Sequence, residues 1–241
     1  MSETLLSTTI DEFQAFPYSG RCRRVFARGD HLLIGVSPGN SYFSARRITR
    51  LVHWGKEFFD TVDIVHADLH VDAQFGAQGY PPDAAARRAA KEVKATRRRV
   101  ERGAADAGRP GVRTHALSDF TGGETYRRLH TEVLAALADD RPFREAAERM
   151  ALGFLRARLD GAAPTADQLA AGLRYIAAEL PFFLNTPALL GVPSSVACYH
   201  LELPLTPVLF GRSDGLRAAP GQAYAVVRPA DADAAADRRA A

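Results

Sequence analysis

The sequence predicts an α/β fold in which helices cover a parallel sheet. Short apolar runs of strand length alternate with amphipathic segments of helical length, the order of elements typical of such sheets. The first two runs, 31–36 and 62–67, enclose one segment long enough for a crossover helix. A length of 241 residues with 46% hydrophobic residues suits one large domain with a single core. We therefore expect a lead-in over 1–27, one domain over 28–229 and a disordered tail over 230–241.

The individual elements follow from local patterns along the chain. The run 31–36 ends in the turn sequence SPGN, as expected for a buried strand that enters a tight loop. Apolar residues at helical spacing follow Ser44, a suitable N-cap, and predict a helix that continues to Asp60. The lead-in has room for one short strand. The same criteria predict strands at 62–67, 112–117, 196–201 and 222–228, and helices at 82–107, 123–138, 142–159 and 166–185.

Composition narrows the class of protein. The formal net charge is only +3, so the positions of the charges say more about partners than their sum. The two cysteines, Cys22 and Cys198, are too few for a disulfide framework and lack the spacing of metal ligands, which favours free thiols in a reducing cytoplasm. The first residues lack a secretory signal, and no stretch approaches the ~20 apolar residues that cross a bilayer. We expect a cytoplasmic protein with no membrane partner and no metal.

The loop after the first predicted strand carries a candidate nucleophile, Ser37. The sequence GVSPG matches the G-x-S-x-G elbow, in which a sharp turn presents a serine hydroxyl and glycines admit a substrate carbonyl. Backbone N–H groups of such a turn stabilise the oxyanion of acyl transfer. The alternative is a Gly/Pro turn with an incidental serine. An α/β-hydrolase is poorly supported, because too few strands precede Ser37 and His200, the only histidine beyond His130, lies in a predicted strand.

The predicted helix at 82–107 carries a column of positive charge. Between residues 87 and 102 the chain has eight basic residues against two glutamates. At about 100° per residue, five of them fall on one stripe: Arg87, Lys91, Lys94, Arg98 and Arg102. The opposite face, which packs on the sheet, is apolar or small: Ala85, Ala89, Val93, Thr96 and Val100. The alternative is an ordinary solvated face, but such faces usually mix signs, so the stripe favours a phosphate-backbone tract. Nothing in it reads base edges, and we expect shape-and-charge binding of an RNA and no DNA partner.

Two later segments hold further candidate site residues. Tyr175 and Glu179 are four apart on a predicted helix, so their side chains share one face. A phenol beside a carboxylate can receive an ammonium group, and Glu179 could move protons. An amphipathic helix with a surface glutamate and a half-buried tyrosine is the alternative. Tyr199, in the strand predicted at 196–201, is either a core residue or a site residue, and spacing does not decide between them.

Taken together, these segments resemble the cyclodipeptide synthases. The similarity runs from about residue 28 to 229, and five stretches carry it: LIGVSPGNSYFS at 33–44, the basic helix at 87–102, AGLRYIAAELPFF at 171–183, VPSSVACYH at 192–200 and GQAYAVVRP at 221–229. The resemblance implies a Rossmann-like domain similar to the catalytic domain of class I tyrosyl- and tryptophanyl-tRNA synthetases. The chain shows no HIGH, KMSKS or P-loop signature, so the substrates are expected to arrive activated, as esters on tRNA, without a cofactor.

The resemblance also implies roles for individual residues in joining two amino acids into a diketopiperazine. Ser37 would take the aminoacyl group from the first of two aminoacyl-tRNAs, and Gly35 would help to hold the carbonyl oxygen. Asn40 and Tyr199 would position the serine or the tethered group. Tyr175 and Glu179 would hold the tethered amino group. The asparagine at position 40 favours the subfamily that has asparagine there.

Binding surfaces follow from the same resemblance. A first pocket around the tethered side chain would be lined by apolar residues: Leu33, Val65, Leu117, Phe182 and Ala197. Asn40 and Ala67 would border a second pocket. The basic stripe, with Arg99 beside it, would grip the tRNA, and the enzyme is expected to be a monomer. Two other functions stay open on the sequence: a serine hydrolase or acyltransferase that uses the same elbow, and a noncatalytic tRNA-binding module.

Overall fold

A computed structural model describes residues 12–156, 159 and 163–230 of the chain. Its described elements comprise six strands and eight α-helices. The strands are β1 Phe13–Pro17, β2 His31–Val36, β3 Thr61–His66, β4 Val112–Ala116, β5 Ser195–Tyr199 and β6 Gln222–Pro229. The helices are α1 Gly20–Phe26, α2 Ala45–Phe58, α3 Val71–Ala77, α4 Pro82–Ala107, α5 Glu124–Asp139, α6 Arg141–Arg156, α7 Ala166–Leu190 and α8 Thr206–Gly211, with a 3₁₀ turn at Leu117–Phe120.

The strands form one sheet in the order β1-β6-β5-β2-β3-β4. Five strands are parallel, and only β1 runs antiparallel, paired with β6 from Phe13 opposite Pro229 to Pro17 opposite Ala225. The predicted α/β fold class is therefore confirmed. The short strand expected within the lead-in is β1, which pairs with β6 at the edge of the sheet. Helix α1 follows it, so residues 13–26 belong to the folded domain. The predicted tail lies outside the described residues, except Ala230.

Helices pack on both faces of the sheet, and two neighbouring residues of β2 show the two layers. Leu32 meets α2 on one face, where a Cβ on Gly55 would lie 2.6 Å from the Leu32 side chain. Leu33 points the other way and shares a cavity with Phe182 of α7. On the first face α2 also crosses α4 closely, since a Cβ on Gly103 would lie 2.7 Å from the Ile48 side chain. These layers bury the central strands on both sides, as their continuous apolar runs indicate.

The predicted helices are present with shifted ends. The helix expected at 166–185 begins at Ala166 behind a Thr165 capping box but continues to Leu190. Its backbone departs from helical geometry at Asn185, with φ −159° and ψ 62°. Pro181 and Pro187 lie on either side of this kink, and the chain resumes its helix after it. The short elements α3, α8 and the 3₁₀ turn have too few residues to show a period, and the sequence did not predict them.

Candidate active site

The carboxyl ends of β2, β3 and β5 meet at one edge of the sheet, where ligands bind in open α/β folds. Ser37 follows the last residue of β2, Ala67 follows β3, and Tyr199 is the last residue of β5. The register places β2 between the other two strands, with Leu33 opposite both Asp63 and Ala197. The strand order therefore brings together side chains that are more than a hundred residues apart in sequence.

Ser37 begins a tight turn over residues 37–40. The Asn40 amide donates a hydrogen bond to the Ser37 carbonyl at 3.3 Å. Pro38 and Gly39 occupy the two central positions, and Gly39 has a φ of +72°. Proline followed by a residue with positive φ is the combination typical of a type II turn, which favours glycine at the third position. The sequence SPGN thus encodes its own geometry and presents the serine at the end of the strand.

The turn meets two tyrosines and a glutamate from distant parts of the chain. The Ser37 hydroxyl is a hydrogen-bonding neighbour of the phenols of both Tyr175 and Tyr199. The Asn40 side-chain amide donates to the Tyr199 phenol oxygen at 2.9 Å. Tyr175 is also hydrogen-bonded to Glu179, one helical turn further along α7. These contacts join the site residues expected from the sequence into one cluster: Ser37, Asn40, Tyr175, Glu179 and Tyr199.

Burial sets the protonation of this cluster. It raises the pKa of the Glu179 carboxyl to about 7, although the hydrogen bond from Tyr175 opposes the shift. Burial and then the nearby Glu179 charge raise the pKa of Tyr199 to about 12, and both causes raise the pKa of Tyr175 well above its usual value. Near neutral pH, Glu179 is thus poised to accept or donate a proton, while both phenols stay protonated as donors.

A cavity opens beside the cluster. Including the part open to solvent, it has a volume of about 610 Å³, and Ser37, Glu179 and Tyr199 lie in its wall. Gly35 also lines it, and a Cβ built there would meet nothing within 4 Å, so the glycine leaves room next to the nucleophile. The remaining wall contains six of the seven residues that the resemblance assigned to substrate pockets: Leu33, Val65, Ala67, Leu117, Phe182 and Ala197.

Ala67 and Asn40, expected to border a second pocket, have different surroundings. Ala67 lines the same cavity as the other five residues. The Asn40 side chain makes hydrogen bonds to its neighbours: its Oδ1 accepts one from the Tyr42 backbone amide at 3.0 Å, and its Nδ2 donates one to the Tyr199 phenol oxygen. Their predicted role in a second pocket stays a prediction. The sequence also missed apolar wall residues that no local motif marks, namely Met150, Phe183 and Leu203.

His200 lies at the site edge, and the expectation that it sits inside a strand is wrong. Strand β5 ends at Tyr199, and the chain bends at His200. Its Nε2 lies 3.4 Å from the Asn40 amide nitrogen, and its ring stacks on Tyr42 with centroids 4.1 Å apart. Because the bend carries its ring toward the turn rather than into the sheet, His200 supports the Asn40 side of the cluster.

The basic face of α4 is exposed as predicted. The five stripe residues are all exposed, and none of them makes an ion pair with another described residue: Arg87, Lys91, Lys94, Arg98 and Arg102. Ala85, Ala89 and Val100 of the opposite face are buried. Arg99 differs from the stripe, because it is half-buried and its Nη2 pairs with Glu92 at 3.2 Å. Glu92 in turn contacts the Ser37 turn, a link that helical periodicity alone does not reveal.

Comparison with known proteins decides the family. The family model described as cyclodipeptide synthase matches residues 13–229. This chain belongs to the cyclodipeptide synthase family. The cyclo(L-tyrosyl-L-tyrosyl) synthase of Mycobacterium tuberculosis H37Rv is 39% identical over 228 residues, which are 92% of this chain and 78% of that protein. The cyclo(L-leucyl-L-phenylalanyl) synthase of Streptomyces noursei is 39% identical over 219 residues, 89% of this chain and 92% of its own.

Solved structures of cyclodipeptide synthases agree with the fold. A crystal structure of cyclo(L-leucyl-L-phenylalanyl) synthase matches with a TM-score of 0.84 at 37% identity, covering 90% of this chain and 99% of that one. The Mycobacterium tuberculosis structure that relates cyclodipeptide synthetases to type I tRNA synthetases matches with a TM-score of 0.83 at 39% identity, covering 91% and 94%. The predicted family, synthetase-like fold and enzyme class, cyclodipeptide synthesis, are therefore confirmed. None of the described helices is long and apolar enough to span a membrane.

Proposed function

We propose that this cyclodipeptide synthase uses two aminoacyl-tRNAs in succession and carries the first aminoacyl group as an ester on Ser37. The observation that carries this proposal is the meeting of the Ser37 hydroxyl with Tyr175 and Tyr199 beside an apolar cavity that Ser37 and Tyr199 line. A serine on a turn, beside open space and phenol donors, suits acyl transfer. The enzyme acts as a cytoplasmic monomer.

In the first half-reaction, the Ser37 oxygen attacks the carbonyl carbon of the aminoacyl ester. The bond between that carbon and the ribose oxygen breaks, the departing ribose hydroxyl gains a proton, and free tRNA leaves. Tyr199 donates this proton and takes the proton of the Ser37 hydroxyl in exchange, because it contacts Ser37 and is protonated at neutral pH. Asn40 fixes the Tyr199 phenol through the 2.9 Å hydrogen bond, and Gly35 leaves room for the carbonyl.

In the second half-reaction, the tethered amine attacks the ester of the second aminoacyl-tRNA. The amine arrives as an ammonium group and must first lose a proton. Glu179, with a pKa of about 7, accepts it while Tyr175 orients the nitrogen. The nitrogen bonds to the carbonyl carbon, the bond from that carbon to the ribose oxygen breaks, and the second tRNA leaves with a proton on its ribose hydroxyl. The dipeptide now attached to Ser37 has a free amine, which then attacks the serine ester. That last step closes the six-membered ring and regenerates the hydroxyl.

The cavity indicates the class of amino acid that Ser37 carries. All six predicted wall residues are apolar: Leu33, Val65, Ala67, Leu117, Phe182 and Ala197. A charged side chain placed among Leu33, Leu117 and Phe182 would lose its hydration without a partner. The first substrate therefore carries an uncharged, mainly apolar side chain. The exposed stripe on α4 holds the phosphate backbone of the tRNA, since five cations on one face, with no ion-pair partner among the described residues, match an anionic tract.

Covalent labelling tests the proposal. Purified enzyme is mixed with tRNA that carries a radiolabelled apolar amino acid, quenched in acid, digested and analysed by mass spectrometry. The label is expected on the peptide containing Ser37, and Ser37→Ala should give no labelled peptide and no diketopiperazine while remaining folded. Label on another residue would overturn the serine mechanism, and tRNA binding without any label would favour a noncatalytic module. Hydrolysis of generic esters independently of tRNA would favour a serine hydrolase.

A further inference from the structure

Helix α4 touches the Ser37 turn through a single carboxylate. The Glu92 side chain accepts a hydrogen bond from the Gly39 amide, with a distance of 2.9 Å between nitrogen and Oε1. Glu92 lies on the helix that carries the exposed basic stripe, 53 residues away from Gly39 in sequence. The surface proposed to hold RNA and the loop that carries the nucleophile are therefore joined by one hydrogen bond.

The turn needs this acceptor. Its own hydrogen bond uses the Asn40 amide and the Ser37 carbonyl, so the Gly39 amide has no partner inside the turn. A hydrogen bond to a carboxylate is stronger than one between neutral groups, which makes Glu92 an effective anchor. Only Pro38 separates Gly39 from Ser37, and the proline ring fixes one of its two backbone torsions. A displacement of Gly39 is therefore passed directly to the nucleophile.

Glu92 is itself held in place. Thr96 donates its hydroxyl to the same Oε1 atom at 3.3 Å, and Arg99 donates from Nη2 at 3.2 Å. The Arg99 Nη2 also contacts the Thr96 hydroxyl oxygen at 2.9 Å, which closes a three-residue network on one side of α4. Thr96 is fully buried and the Arg99 side chain is 29% exposed, so this network lies on a different side of α4 from the exposed stripe.

We infer that Glu92 is a positioning residue for Ser37, and that Arg99 acts through Glu92 rather than as a phosphate ligand. The inference rests on the proposed acylation of Ser37, because that step is where an error in serine position has its effect. It divides the basic residues of α4 into two groups. The exposed stripe sets the affinity for RNA, whereas Arg99 and Glu92 set the rate at which bound aminoacyl-tRNA reacts.

A single-turnover acylation assay separates these two effects. Enzyme in excess is mixed with radiolabelled aminoacyl-tRNA over a range of concentrations, which yields a maximal rate and a half-saturating concentration. Glu92→Ala is expected to lower the maximal rate by about 10- to 100-fold, because small displacements of reacting groups have effects of that size. Its half-saturating concentration should stay within about twofold of wild type. Glu92→Gln keeps an oxygen acceptor and should recover most of the rate.

Matched variants on the same helix complete the test. Glu101→Ala removes another carboxylate of α4, one that is 56% exposed and pairs with Arg97, and should leave both parameters unchanged. Arg99→Ala should resemble Glu92→Ala, and the double variant should be no slower than either single one. Arg98→Ala should instead raise the half-saturating concentration. Thermal unfolding of each variant shows that the rate effects are not losses of folded protein.

The outcomes are distinguishable. A Glu92→Ala enzyme with the wild-type maximal rate, or with its whole defect in the half-saturating concentration, overturns the inference. An Arg99→Ala enzyme that loses only RNA affinity overturns the assignment of Arg99. Should wild type itself take no label on Ser37, the proposed function fails and this inference falls with it. A labelled wild type with an unaffected Glu92→Ala variant leaves the proposed function standing.

Discussion

The two ends of the same three strands carry two serine-centred polar clusters with opposite properties. At the carboxyl ends, Ser37 lies beside Tyr199 and an open cavity. At the amino ends, the Ser195 hydroxyl lies 2.7 Å from Nδ1 of His31, and Nε2 of that histidine lies 2.9 Å from Asp63. The second cluster has the residue types of a catalytic triad. All three of its members are buried, however, and none of them lines the cavity beside Ser37.

The amino-end cluster is also fully satisfied. Arg113 donates two hydrogen bonds to the Asp63 carboxylate, at 2.9 and 2.6 Å, and His115 contacts the same carboxylate at 2.9 Å. Burial alone would raise the pKa of Asp63, but the hydrogen bonds from His115, His31 and Arg113 lower it far below the usual range. At the carboxyl end burial prevails and raises the pKa of Glu179. The comparison teaches that open space and incomplete compensation, rather than residue type, distinguish a reactive site from a structural one.

Replacement of either serine by alanine is expected to give the largest difference in activity between the two clusters. Ser37→Ala should lower cyclodipeptide formation by at least about 10³-fold, as removal of a covalent nucleophile does. Ser195→Ala should leave turnover near wild type, because its hydroxyl faces a buried histidine and no substrate space. Product is measured by mass spectrometry from expressing cultures and with purified enzyme. Loss of activity in a folded Ser195→Ala enzyme would contradict the division into reactive and structural ends.

Replacement of Glu179 sharpens the carboxyl-end description. Glu179→Gln should lower the rate of peptide-bond formation by about 10²-fold, since general base catalysis contributes effects of that order. In wild type this rate should rise with pH through a midpoint near 7, because the carboxylate form accepts the proton. In the Glu179→Gln variant, the rate should no longer rise with pH through this midpoint. The measurement is the single-turnover rate at which preformed acyl-enzyme consumes the second aminoacyl-tRNA, followed as a function of pH. The same rise of the rate with pH in the variant would assign the titration to another group.

Replacement of Asp63 tests the amino end. Asp63→Asn should lower the free energy of unfolding by about 3 kcal/mol at neutral pH, because it removes a fully buried carboxylate that is hydrogen-bonded to His31, Arg113 and His115. The pKa of Asp63 is lower in the folded protein, so its contribution is present above the unfolded value of 3.8 and is lost as pH falls further. The difference between variant and wild type in urea unfolding should therefore shrink in acid. Asp214→Asn, at an exposed ion pair, is the control and should change stability little.

Glu179 should show the opposite pH dependence of stability. Its folded pKa is raised to about 7 from 4.5, so the protonated form is favoured by folding and stability falls as pH rises between these values. Urea unfolding of wild type relative to Glu179→Gln over that range should show this decline. A flat difference would mean that the carboxyl is hydrated in the folded protein. The two ends of the sheet are thus expected to respond to acid with opposite signs.

The smallest expected effect compares two arginines. Arg98 lies on the exposed stripe of α4, whereas Arg113 is bound to Asp63 at the other end. Arg98→Ala should weaken tRNA binding about threefold and reduce the slope of log affinity against log salt by about 1. Arg113→Ala should leave RNA affinity and its salt slope unchanged while lowering stability. Filter binding across salt concentrations measures both, and equal slopes for Arg98→Ala and wild type would remove that residue from the RNA contact.

Local patterns in the sequence determined the elements and the turn that presents Ser37. Strand β2 follows from its continuous apolar run. The basic helix α4 and the pair Tyr175 and Glu179 follow from helical periodicity, and neighbouring residues alone specify both kinds of pattern. The turn at 37–40 is equally local, since Pro38 and Gly39 supply its backbone torsions. The family resemblance then added the expected partners of the serine. These features needed no knowledge of strand order.

Only the tertiary structure decided which residues meet. Packing places Tyr199 beside Asn40, 159 residues away in sequence, and Glu92 beside Gly39, 53 residues away. It also places Asp63 beside His31, 32 residues away. A hydrophobic pattern reports that a face is buried but not what it is buried against, so it cannot distinguish a triad-like structural cluster from a reactive one. The physical reason is that pairing, register and residual space are properties of the packed sheet and not of any single segment.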